Sequence, residues 1–366
     1  MVSQFADFYR GRRVLVTGHT GFKGSWLSLW LNKLGAEVTG YSLASLDSPS
    51  MFDAASIETT VDHRLGDVRD ADRLAQIVDD CRPEIVFHLA AQSLVLRSYR
   101  EPVETLSTNV TGTANLLECV RHRPWIAAVV VVTSDKVYEN DGRVDGYLES
   151  DRLGGSDPYS VSKVCAELVT SAYHRSYLHD SPTQVATARA GNVVGGGDWA
   201  IDRIVPDAIR SWSGGVPLAL RNPEATRPWQ HVLEPSSGYL RLGALLYDAA
   251  PGIDGESFNF GPLPGRSRTV ADLVDAMAEH WPGARWEVEQ SGSVGHREAT
   301  HLRLDCTMSH ERLGWSGVLN FDEAVAETMA WYRSWKEYCP DLAAFSHTQI
   351  DGYCRTAASN GIGWLG

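Results

Sequence analysis

Short apolar runs alternate with amphipathic stretches through the first half of this chain, and few architectures are compatible with that alternation. It is typical of βαβ units, in which helices cover both faces of a parallel sheet. The run Val129–Val132 is four consecutive valines, so its strand should be buried on both faces, in the middle of the sheet. The sequence therefore predicts an α/β protein with a doubly wound parallel sheet. The predicted strands are Arg13–Thr17, Glu37–Ser42, Asp62–Leu65, Ile85–Leu89, Ala127–Thr133 and Gln184–Ala190, and the helices between them are Lys23–Leu34, Ala71–Cys81, Val103–Arg121 and Tyr159–Leu178.

The sequence changes character near residue 190, where Gly, Pro and Trp cluster in stretches such as GNVVGGGDWAIDR and RNPEATRPWQHV. Loops of this density usually carry function. With 366 residues the chain is long enough for two coupled domains. We predict a first domain over 1–190, to which later segments can return. A smaller α/β substrate lobe follows over 191–340, with helices near 270–280 and 322–339, and then a C-terminal tail over 341–366.

Composition excludes several classes of protein. Asp and Glu outnumber Lys and Arg by 46 to 33, so the formal charge is −13, which argues against a nucleic-acid partner but leaves a small phosphorylated ligand open. The six cysteines are far apart and form no CxxC pair, so we expect reduced thiols and no metal site. The N-terminal stretch has no signal-peptide pattern, and no apolar run approaches the roughly 20 residues of a membrane span. We therefore expect a cytoplasmic protein without a membrane partner.

A glycine-rich stretch joins the first predicted strand to the first helix. It reads Gly18-His19-Thr20-Gly21-Phe22-Lys23-Gly24, and glycines are needed where backbone turns tightly and approaches a pyrophosphate at a helix N-terminus. A plain structural turn is the alternative. The context favours a Rossmann-like domain that binds a dinucleotide. The residues expected to contact the cofactor are Gly18, His19, Gly21, Phe22, Lys23 and Gly24.

The choice between NAD and NADP is not settled by the second strand. An acidic residue usually ends that strand and binds the ribose 2′-hydroxyl of NAD, but here no carboxylate occurs before Asp47. Asp67 and Val68 follow the third strand, where a carboxylate can accept a hydrogen bond from the adenine amino group. A helix N-cap is the alternative role for Asp67.

Tyr159 and Lys163 form the second constellation. Their i, i+4 spacing places them on one face of a helix, so that the ammonium can lower the phenol pKa and also reach the nicotinamide ribose. Ser134 follows the valine strand and completes a candidate catalytic group. A phenolate at Tyr159 could then remove a proton from a sugar hydroxyl as hydride leaves for the cofactor. A surface aromatic on a helix is the alternative, and the glycine motif makes it less probable.

Six stretches of the sequence together carry a family resemblance. They resemble the extended short-chain dehydrogenase/reductase family over residues 11 to 335, and within it the nucleotide-sugar dehydratases. The resemblance implies a Rossmann domain, NAD as the cofactor and a nucleotide sugar as the substrate. The stretches are VTGHTGFKGSWLSLWL, HLAAQSLVLRSY, TSDKVYEN, DPYSVSKVCAELV, RAGNVVGGGDWAIDRIVPD and RPWQHVLEPSSGYL.

The pair after Ser134 narrows the implied reaction. Here it is Asp135-Lys136, the pair of the family members that act on CDP-glucose, whereas those acting on dTDP-glucose have Asp-Glu. The resemblance thus implies a lyase that removes water from CDP-glucose and moves a hydride from C4 to C6 through NAD. Asp135 is the implied acid for the departing 6-hydroxyl. The base that takes the C5 proton stays open between Lys136 and another residue.

The resemblance also implies further contacts and a homodimer. Leu89, Ala90 and Ala91 follow the fourth strand on the cofactor side. Asn192, Arg203 and Arg227 are the implied substrate residues, since guanidinium suits phosphate, although a solubilising surface role is the alternative for the arginines. Trp199 or Trp229 could stack on the base, and lobe packing is the alternative for each. The dimer would pair the helices Val103–Arg121 and Tyr159–Leu178 into a four-helix bundle.

Two other functions remain compatible with this sequence. One is a nucleotide-sugar 4-epimerase, whose product keeps the mass of its substrate. The other is a non-catalytic NAD(P)-binding sensor. Tyr159 and Lys163 argue against the sensor, because binding alone does not require both.

Overall fold

The computed structural model describes residues 4–45, 49–143, 145–263, 265, 268–289 and 302–362. The strands are β1 (Arg13–Thr17), β2 (Glu37–Ser42), β3 (Asp62–Leu65), β4 (Ile85–His88), β5 (Ala128–Val132), β6 (Gln184–Ala190), β7 (Val193–Val194), β8 (Leu218–Leu220), β9 (Thr226–Arg227), β10 (Gln230–His231), β11 (Ser257–Phe260), β12 (Arg268–Thr269) and β13 (Trp286–Val288).

The helices surround these strands, and two of them contain or end in a π-helical turn, at Ser107–Thr111 and His174–Leu178. The helices are α1 (Gln4–Tyr9), α2 (Phe22–Lys33), α3 (Met51–Ala54), α4 (Ala71–Cys81), α5 (Val95–Arg100), α6 (Pro102–Leu106), α7 (Gly112–Arg121), α8 (Pro158–Tyr173), α9 (Ile204–Ser213), α10 (Leu233–Tyr247), α11 (Val270–Ala278), α12 (Thr307–Leu313), α13 (Phe321–Lys336) and α14 (Leu342–Ser359).

Seven parallel strands form the central sheet in the order β11-β6-β5-β4-β1-β2-β3. The valine strand β5 is buried along its whole length between β4 and β6. Its position follows from its composition, because a run of β-branched residues without polar alternation can be covered only by helices on both faces. The predicted doubly wound, Rossmann-like sheet is confirmed.

Apolar side chains pack on both faces of this sheet. On one face α4, α7 and α8 cover it, with Leu116 and Leu117 fully buried. On the other face α2 and α10 cover it, with Trp26, Trp30 and Leu240 buried. Each fully buried side chain of this size stabilises the fold by about 1.5–3 kcal/mol before conformational entropy is counted. The two layers hold the carboxyl ends of the strands, and the loops that follow them, in fixed positions.

The predicted element boundaries differ from the observed ones by a few residues at most. The first predicted helix begins at Phe22 rather than Lys23, and the helix predicted over 159–178 is regular only to Tyr173. The predicted helices near 270–280 and 322–339 end earlier, at Ala278 and Lys336. Helix ends depend on capping and on contacts outside the helix, which sequence patterns report poorly.

The chain returns to the central sheet after residue 190. β11 pairs with β6 as an edge strand, and α10 packs against β4, β5 and β6. The other elements of this region lie outside the central sheet. α9, β8 and β9 precede α10 in the chain, and β12, α11 and β13 follow β11. β8 pairs with β13, and β9 pairs with β12. The division of the chain at residue 190 stays a prediction.

The C-terminal segment forms a helix on the body of the protein. α14 packs against α13 and α2, and its Ile350 and Tyr353 are buried. Residues 363–366 lie outside the described part of the chain. Within the part that is described, no helix combines the length and the apolar character that crossing a bilayer requires.

Candidate active site

A cavity of about 1850 Å³ opens at the carboxyl ends of the central strands. Open α/β sheets bind their ligands at this edge, where the loops after the strands converge. Its volume exceeds the range of about 300–1,000 Å³ that is typical of a single small-ligand pocket. The cavity runs without interruption from the end of β2 to β8. It has room for two ligands end to end.

The glycine motif forms one wall of this cavity and fits a pyrophosphate. Gly18 has a φ of 77°, and a Cβ there would lie 2.7 Å from the backbone nitrogen of Ala90. A Cβ on Gly24 would overlap the carbonyl oxygen of Gly18. Gly21 is the N-cap of α2 and brings no side chain that bonds the first N–H groups of the helix. These donors are therefore left for an anion, as a dinucleotide fold requires.

His19 does not face the cavity, contrary to the prediction that it contacts the cofactor. Its side chain is fully buried behind β2, where its Nε2 lies 2.6 Å from Nδ1 of His63 and its ring packs against Phe52. Gly40 makes this possible, because a Cβ on β2 at that point would overlap the imidazole. Burial lowers the pKa of His19 to about 3, so the ring is neutral and structural. The other predicted cofactor residues of the motif, Gly18, Gly21, Phe22, Lys23 and Gly24, line the cavity.

The ends of β2, β3 and β4 line the part of the cavity next to the glycine motif. Ser42 ends β2, and its hydroxyl lies 2.8 Å from that of Thr20. Asp67 lines the same wall and accepts hydrogen bonds from the guanidinium of Arg69, which holds the pKa of this carboxyl below its usual value. Asp47 lies outside the described residues. The predicted residues Val68, Leu89, Ala90 and Ala91 also line this part.

A cluster of polar side chains lies where β5 and β6 end. Asp135 is fully buried, its Oδ1 accepts a hydrogen bond from the Ser134 hydroxyl at 3.0 Å, and its Oδ2 accepts one from Nδ2 of Asn192 at 2.9 Å. Nζ of Lys136 lies 3.6 Å from Oδ1. Asn192 has a φ of 52°, a left-handed conformation that asparagine tolerates better than most residues. Neighbouring strand ends thus bring three of the predicted catalytic residues next to a predicted substrate residue.

Gly191 makes room for the Asp135 carboxylate, and we expect Gly191→Ala to displace that carboxylate. A Cβ at this position would overlap all three atoms of the carboxyl group. We expect kcat/KM to fall about 10²-fold, because displacement of a reacting group by about 1 Å costs this much. Steady-state kinetics would measure it, with Gly214→Ala as the control, since a Cβ there makes only ordinary contacts at 3.5 Å. Unchanged kinetics in Gly191→Ala would show that the position of Asp135 is not critical.

Tyr159 faces the same cluster from the N-terminal turn of α8. Asp157 caps this helix and Pro158 is its first residue, so the chain sequence itself sets where the helix begins. Burial raises the pKa of Tyr159 above its usual value, and the charge of Lys136 and a hydrogen bond with Ser134 act against that increase. Lys136 therefore has the strongest lowering effect on this phenol.

Lys163 has a different immediate partner from the one expected. Its Nζ donates to the backbone carbonyl of Val132 at 3.0 Å, and burial lowers its pKa to about 8. Burial also lowers the pKa of Lys23 to about 7, and the cations Arg203, Lys163 and Lys136 act in the same direction. Lys136 and Lys23 thus lie near the Asp135 carboxylate, and Arg203 and Lys163 lie near Lys23. Such a site attracts an anionic ligand.

Arg203, the N-cap of α9, and Arg227 in β9 also line the cavity, and their contact with a substrate stays a prediction. Arg203 donates to the Asp198 carboxylate at 2.9 Å and to the Ser93 hydroxyl at 3.0 Å. It therefore joins the start of α9 to the loop after β4. Arg227 donates to the carbonyl of Thr226 at 2.8 Å.

Trp199 does not line the cavity, and its predicted role as a substrate residue is wrong on this geometry. Its ring is buried against Tyr332 and Trp335 in the core next to α13, with centroid distances of 5.3 and 4.5 Å. Trp229, the alternative, does line the cavity. The sequence could not separate the two, because both follow glycine- or proline-rich loops and only packing decides which ring is covered.

Two residues that contact the predicted site were missed from the sequence. Asp198 holds Arg203, and Glu167, one turn after Lys163, contacts the end of β5. The i, i+4 spacing of Lys163 and Glu167 on a helix was the only signal for the second. Within the described ranges, no group of three or more His, Cys, Asp or Glu residues is arranged to hold a metal ion.

This fold and site define a short-chain dehydrogenase/reductase of the extended class. A parallel Rossmann sheet carries a glycine-rich turn and a Ser–Tyr–Lys group along one cavity. A family model described as GDP-mannose 4,6 dehydratase matches residues 15–246, and the chain belongs to this family.

Individual relatives resemble the chain over nearly its whole length. A CDP-glucose 4,6-dehydratase of Salmonella typhimurium is 45% identical over 353 residues, which are 95% of this chain and 97% of that protein. The solved structure of a dTDP-glucose 4,6-dehydratase from Streptomyces venezuelae with NAD bound has a TM-score of 0.73 and 27% identity, covering 90% of this chain and 99% of that one. An epimerase from Methanothermobacter thermautotrophicus has a TM-score of 0.76 and 25% identity, covering 92% and 96%.

Proposed function

We propose that this chain is a CDP-glucose 4,6-dehydratase, a lyase that converts CDP-D-glucose to CDP-4-dehydro-6-deoxy-D-glucose and water. One observation carries the proposal. Asp135 and Lys136 lie next to Ser134 and Tyr159 in a single cavity, so an acid–base pair adjoins the group that oxidises a sugar hydroxyl. The 45% identity to the Salmonella enzyme supports the choice of substrate. The product belongs to deoxysugar biosynthesis.

NAD is the proposed cofactor, and when bound it accepts the C4 hydride of the sugar and returns it to C6. The glycine turn and the first N–H groups of α2 would hold its pyrophosphate, and Lys163 would bind its nicotinamide ribose. Asp67 and Val68 would contact the adenine end. The solved relative from Streptomyces with NAD bound supports NAD rather than NADP.

Tyr159 acts as the base for the C4 hydroxyl. Its pKa is raised by burial, and the charge of Lys136 and the hydrogen bond with Ser134 help it to release its proton. The resulting 4-keto group makes the C5 hydrogen acidic. The Ser134 hydroxyl also donates to Asp135. It therefore connects Tyr159, which acts in the oxidation at C4, to Asp135, which acts in the elimination of water.

Asp135 donates a proton to the departing 6-hydroxyl. Full burial isolates this carboxyl from bulk water, while Ser134 and Asn192 keep its orientation. The C5 base is Lys136 or another residue. Arg203 and Arg227 bind the diphosphate through charge-assisted hydrogen bonds. Trp229 offers a flat apolar surface to the cytosine ring of the substrate.

Incubation with a panel of nucleotide glucoses tests this function. We expect CDP-glucose to give a 4-keto product lighter by one water, with no stoichiometric build-up of reduced cofactor, because the hydride is returned to C6. Activity confined to UDP- or dTDP-glucose would contradict the substrate. A product of unchanged mass would indicate a nucleotide-sugar 4-epimerase, and binding without turnover would indicate an NAD(P)-binding sensor.

A homodimer is the proposed assembly. α6 and α8 present an exposed apolar face, with Val103, Leu106, Val161 and Leu168 exposed by 78, 37, 39 and 57%. Large apolar side chains at such spacing form a surface that a second copy of the same helix pair can cover.

A cytoplasmic location stays a prediction.

Replacement of Leu168 by Arg should therefore shift the protein toward a monomer. The guanidinium would be placed inside an apolar helix–helix contact, where an unpaired charge is strongly unfavourable. Molar mass by light scattering after size-exclusion chromatography would measure the shift. Val216→Arg is the matched control, since Val216 is equally apolar and 54% exposed but lies in the lobe. A dimer that survives Leu168→Arg would place the interface elsewhere.

A further inference from the structure

A buried carboxylate on α8, the helix that carries Lys163, contacts the end of the strand that leads into the active site. Glu167 lies one helical turn after Lys163, and only 4% of its side chain is exposed. Its Oε1 accepts a hydrogen bond from the Thr133 hydroxyl at 2.5 Å and another from Nε of Arg189 at 2.9 Å. Its Oε2 accepts from Nη2 of Arg189 at 3.0 Å.

Two more hydroxyls bind the same carboxylate, one from β6, which also carries Arg189, and one from β11. The hydroxyls of Thr187 on β6 and Ser257 on β11 donate to its Oε2 at 2.7 and 3.0 Å. The other side of the Arg189 guanidinium donates to the Tyr138 hydroxyl at 2.9 Å. One carboxylate therefore joins α8 to the carboxyl end of β5, the middle of β6 and the first residue of β11. Buried networks with every member bonded keep a single arrangement.

Lys163 and Glu167 bind two consecutive residues, Val132 at the end of β5 and Thr133 directly after it. Nζ of Lys163 donates to the carbonyl of Val132, and Glu167 accepts from Thr133, the residue directly before Ser134. The relative position of the Tyr–Lys helix and the Ser–Asp strand end is thus set by two adjacent contacts. A change at Glu167 should reach both sides of the active site.

The charges around Lys163 come from three elements. Lys23 on α2 and Lys163 repel each other, and His88 on β4 is neutral because burial and the charge of Lys163 lower its pKa to about 3. Tyr159 lies on the same helix. Burial lowers the pKa of Lys163 to about 8, and the charge of Glu167 is what opposes this decrease.

Glu167 itself remains charged over the working pH range. Burial alone would raise its pKa, but the charge and hydrogen bonds of Arg189, with those of Thr133 and Thr187, hold it below its usual value. Glu167 is therefore a fixed negative charge beside a lysine whose protonation is marginal.

We propose that Glu167 is a positioning residue of the active site: its carboxylate fixes α8 against Thr133 at the end of β5, and it places a negative charge one helical turn from the Lys163 ammonium that binds the cofactor. This inference rests on the proposed function, in which Lys163 binds the nicotinamide ribose. It assigns the buried Glu167–Arg189 pair a function beyond packing. If the inference is correct, a change at Glu167 alters the pH dependence of NAD binding.

The test is the dissociation constant of NAD measured against pH by quenching of tryptophan fluorescence. In the wild-type protein, affinity should fall as the pH rises through the pKa of Lys163, because the neutral amine loses its charge-assisted hydrogen bonds. In Glu167→Gln this fall should begin about one pH unit lower, since loss of an opposite charge shifts a pKa by about 1–3 units. At pH 8 the variant should bind NAD about fivefold more weakly than the wild type, and the difference should shrink at pH 6.

Two further variants keep the test decisive. Thr187→Val removes one hydrogen bond to Glu167 and keeps its charge, so its pH profile should match the wild type; an equal shift there would make the effect merely structural and overturn the inference. Glu167→Gln leaves the Arg189 guanidinium buried without a counter-charge, so Glu167→Gln with Arg189→Met, which removes the pair together, is the second variant. We expect the same shift in it, and a wild-type profile in any folded Glu167 variant would overturn the inference.

Failure of the proposed function would give a different result. A flat pH profile in the wild-type protein, or unchanged affinity in Lys163→Ala, would contradict the role of Lys163 in cofactor binding and this inference with it. If NAD affinity falls with pH in the wild-type protein and falls at the same pH in Glu167→Gln, the inference on Glu167 is wrong while the proposed role of Lys163 stands.

Discussion

Replacement of Tyr159 by Phe is expected to lower kcat by about 10²- to 10⁴-fold, the usual contribution of a general base, while NAD binding stays intact. The hydroxyl is the only group removed, and its hydrogen bond with Ser134 contributes about 1 kcal/mol to stability. The Tyr159→Phe variant and the wild-type protein should therefore unfold at similar temperatures. Because burial raises the pKa of this phenol, wild-type kcat should increase with pH until the phenol or another group titrates.

Tyr173→Phe is the matched control for this experiment. Tyr173 is the last residue of the same helix, and its hydroxyl donates to Glu118 at 3.1 Å, far along the sequence from the cluster around Asp135. Its kinetics should be those of the wild type. Turnover near the wild-type rate in Tyr159→Phe would remove Tyr159 from the mechanism.

Replacement of Asp135 by Asn should separate oxidation from elimination. The variant keeps the size of the side chain and an oxygen for the Ser134 hydroxyl, and the Asn192 amide can rotate to offer its oxygen to the new NH₂ group. It lacks the acid that protonates the 6-hydroxyl. We expect C4 oxidation to survive and loss of water to slow by about 10²-fold or more, so that the 4-keto glucose accumulates with the absorbance of reduced nicotinamide.

Asp207→Asn provides the control, because Asp207 lines the same cavity on α9 but is paired with Arg210. It should not accumulate the 4-keto glucose. Solvent deuterium should still enter C5 in Asp135→Asn if Lys136 or another residue is the base. If Asp135→Asn instead abolishes C4 oxidation and leaves the cofactor absorbance unchanged, Asp135 positions the substrate and the acid role is wrong.

The parts of the site that were predictable from sequence depend on short-range spacing. Gly18 and Gly24 meet across a single turn, and Tyr159 and Lys163 lie one helical turn apart, so their proximity follows from helix and turn geometry alone. The position of Asp135 next to Ser134 follows from adjacency in the chain. These features needed no knowledge of distant residues.

The direction in which each side chain points was not predictable. His19 lies inside the glycine motif, yet it is turned away from the cavity because Gly40, on another strand, leaves space behind β2. Trp199 and Trp229 have similar sequence surroundings, but the aromatic residues of α13 cover the first alone. The direct partner of Lys163 is a carbonyl of β5 that lies 31 residues earlier.

The sequence by itself determined the sheet, its central valine strand, the dinucleotide turn and the chemical groups of the active site. Periodicity and motif spacing are local properties of the sequence. A helix or strand with a given apolar pattern is stabilised by burial in the same way in any chain. Only the tertiary structure decided that β11 returns to the sheet beside β6 and that Glu167 binds hydroxyls from three strands. Such contacts join residues far apart in the chain, and a buried polar group takes whichever partner the packed layers bring within hydrogen-bond distance.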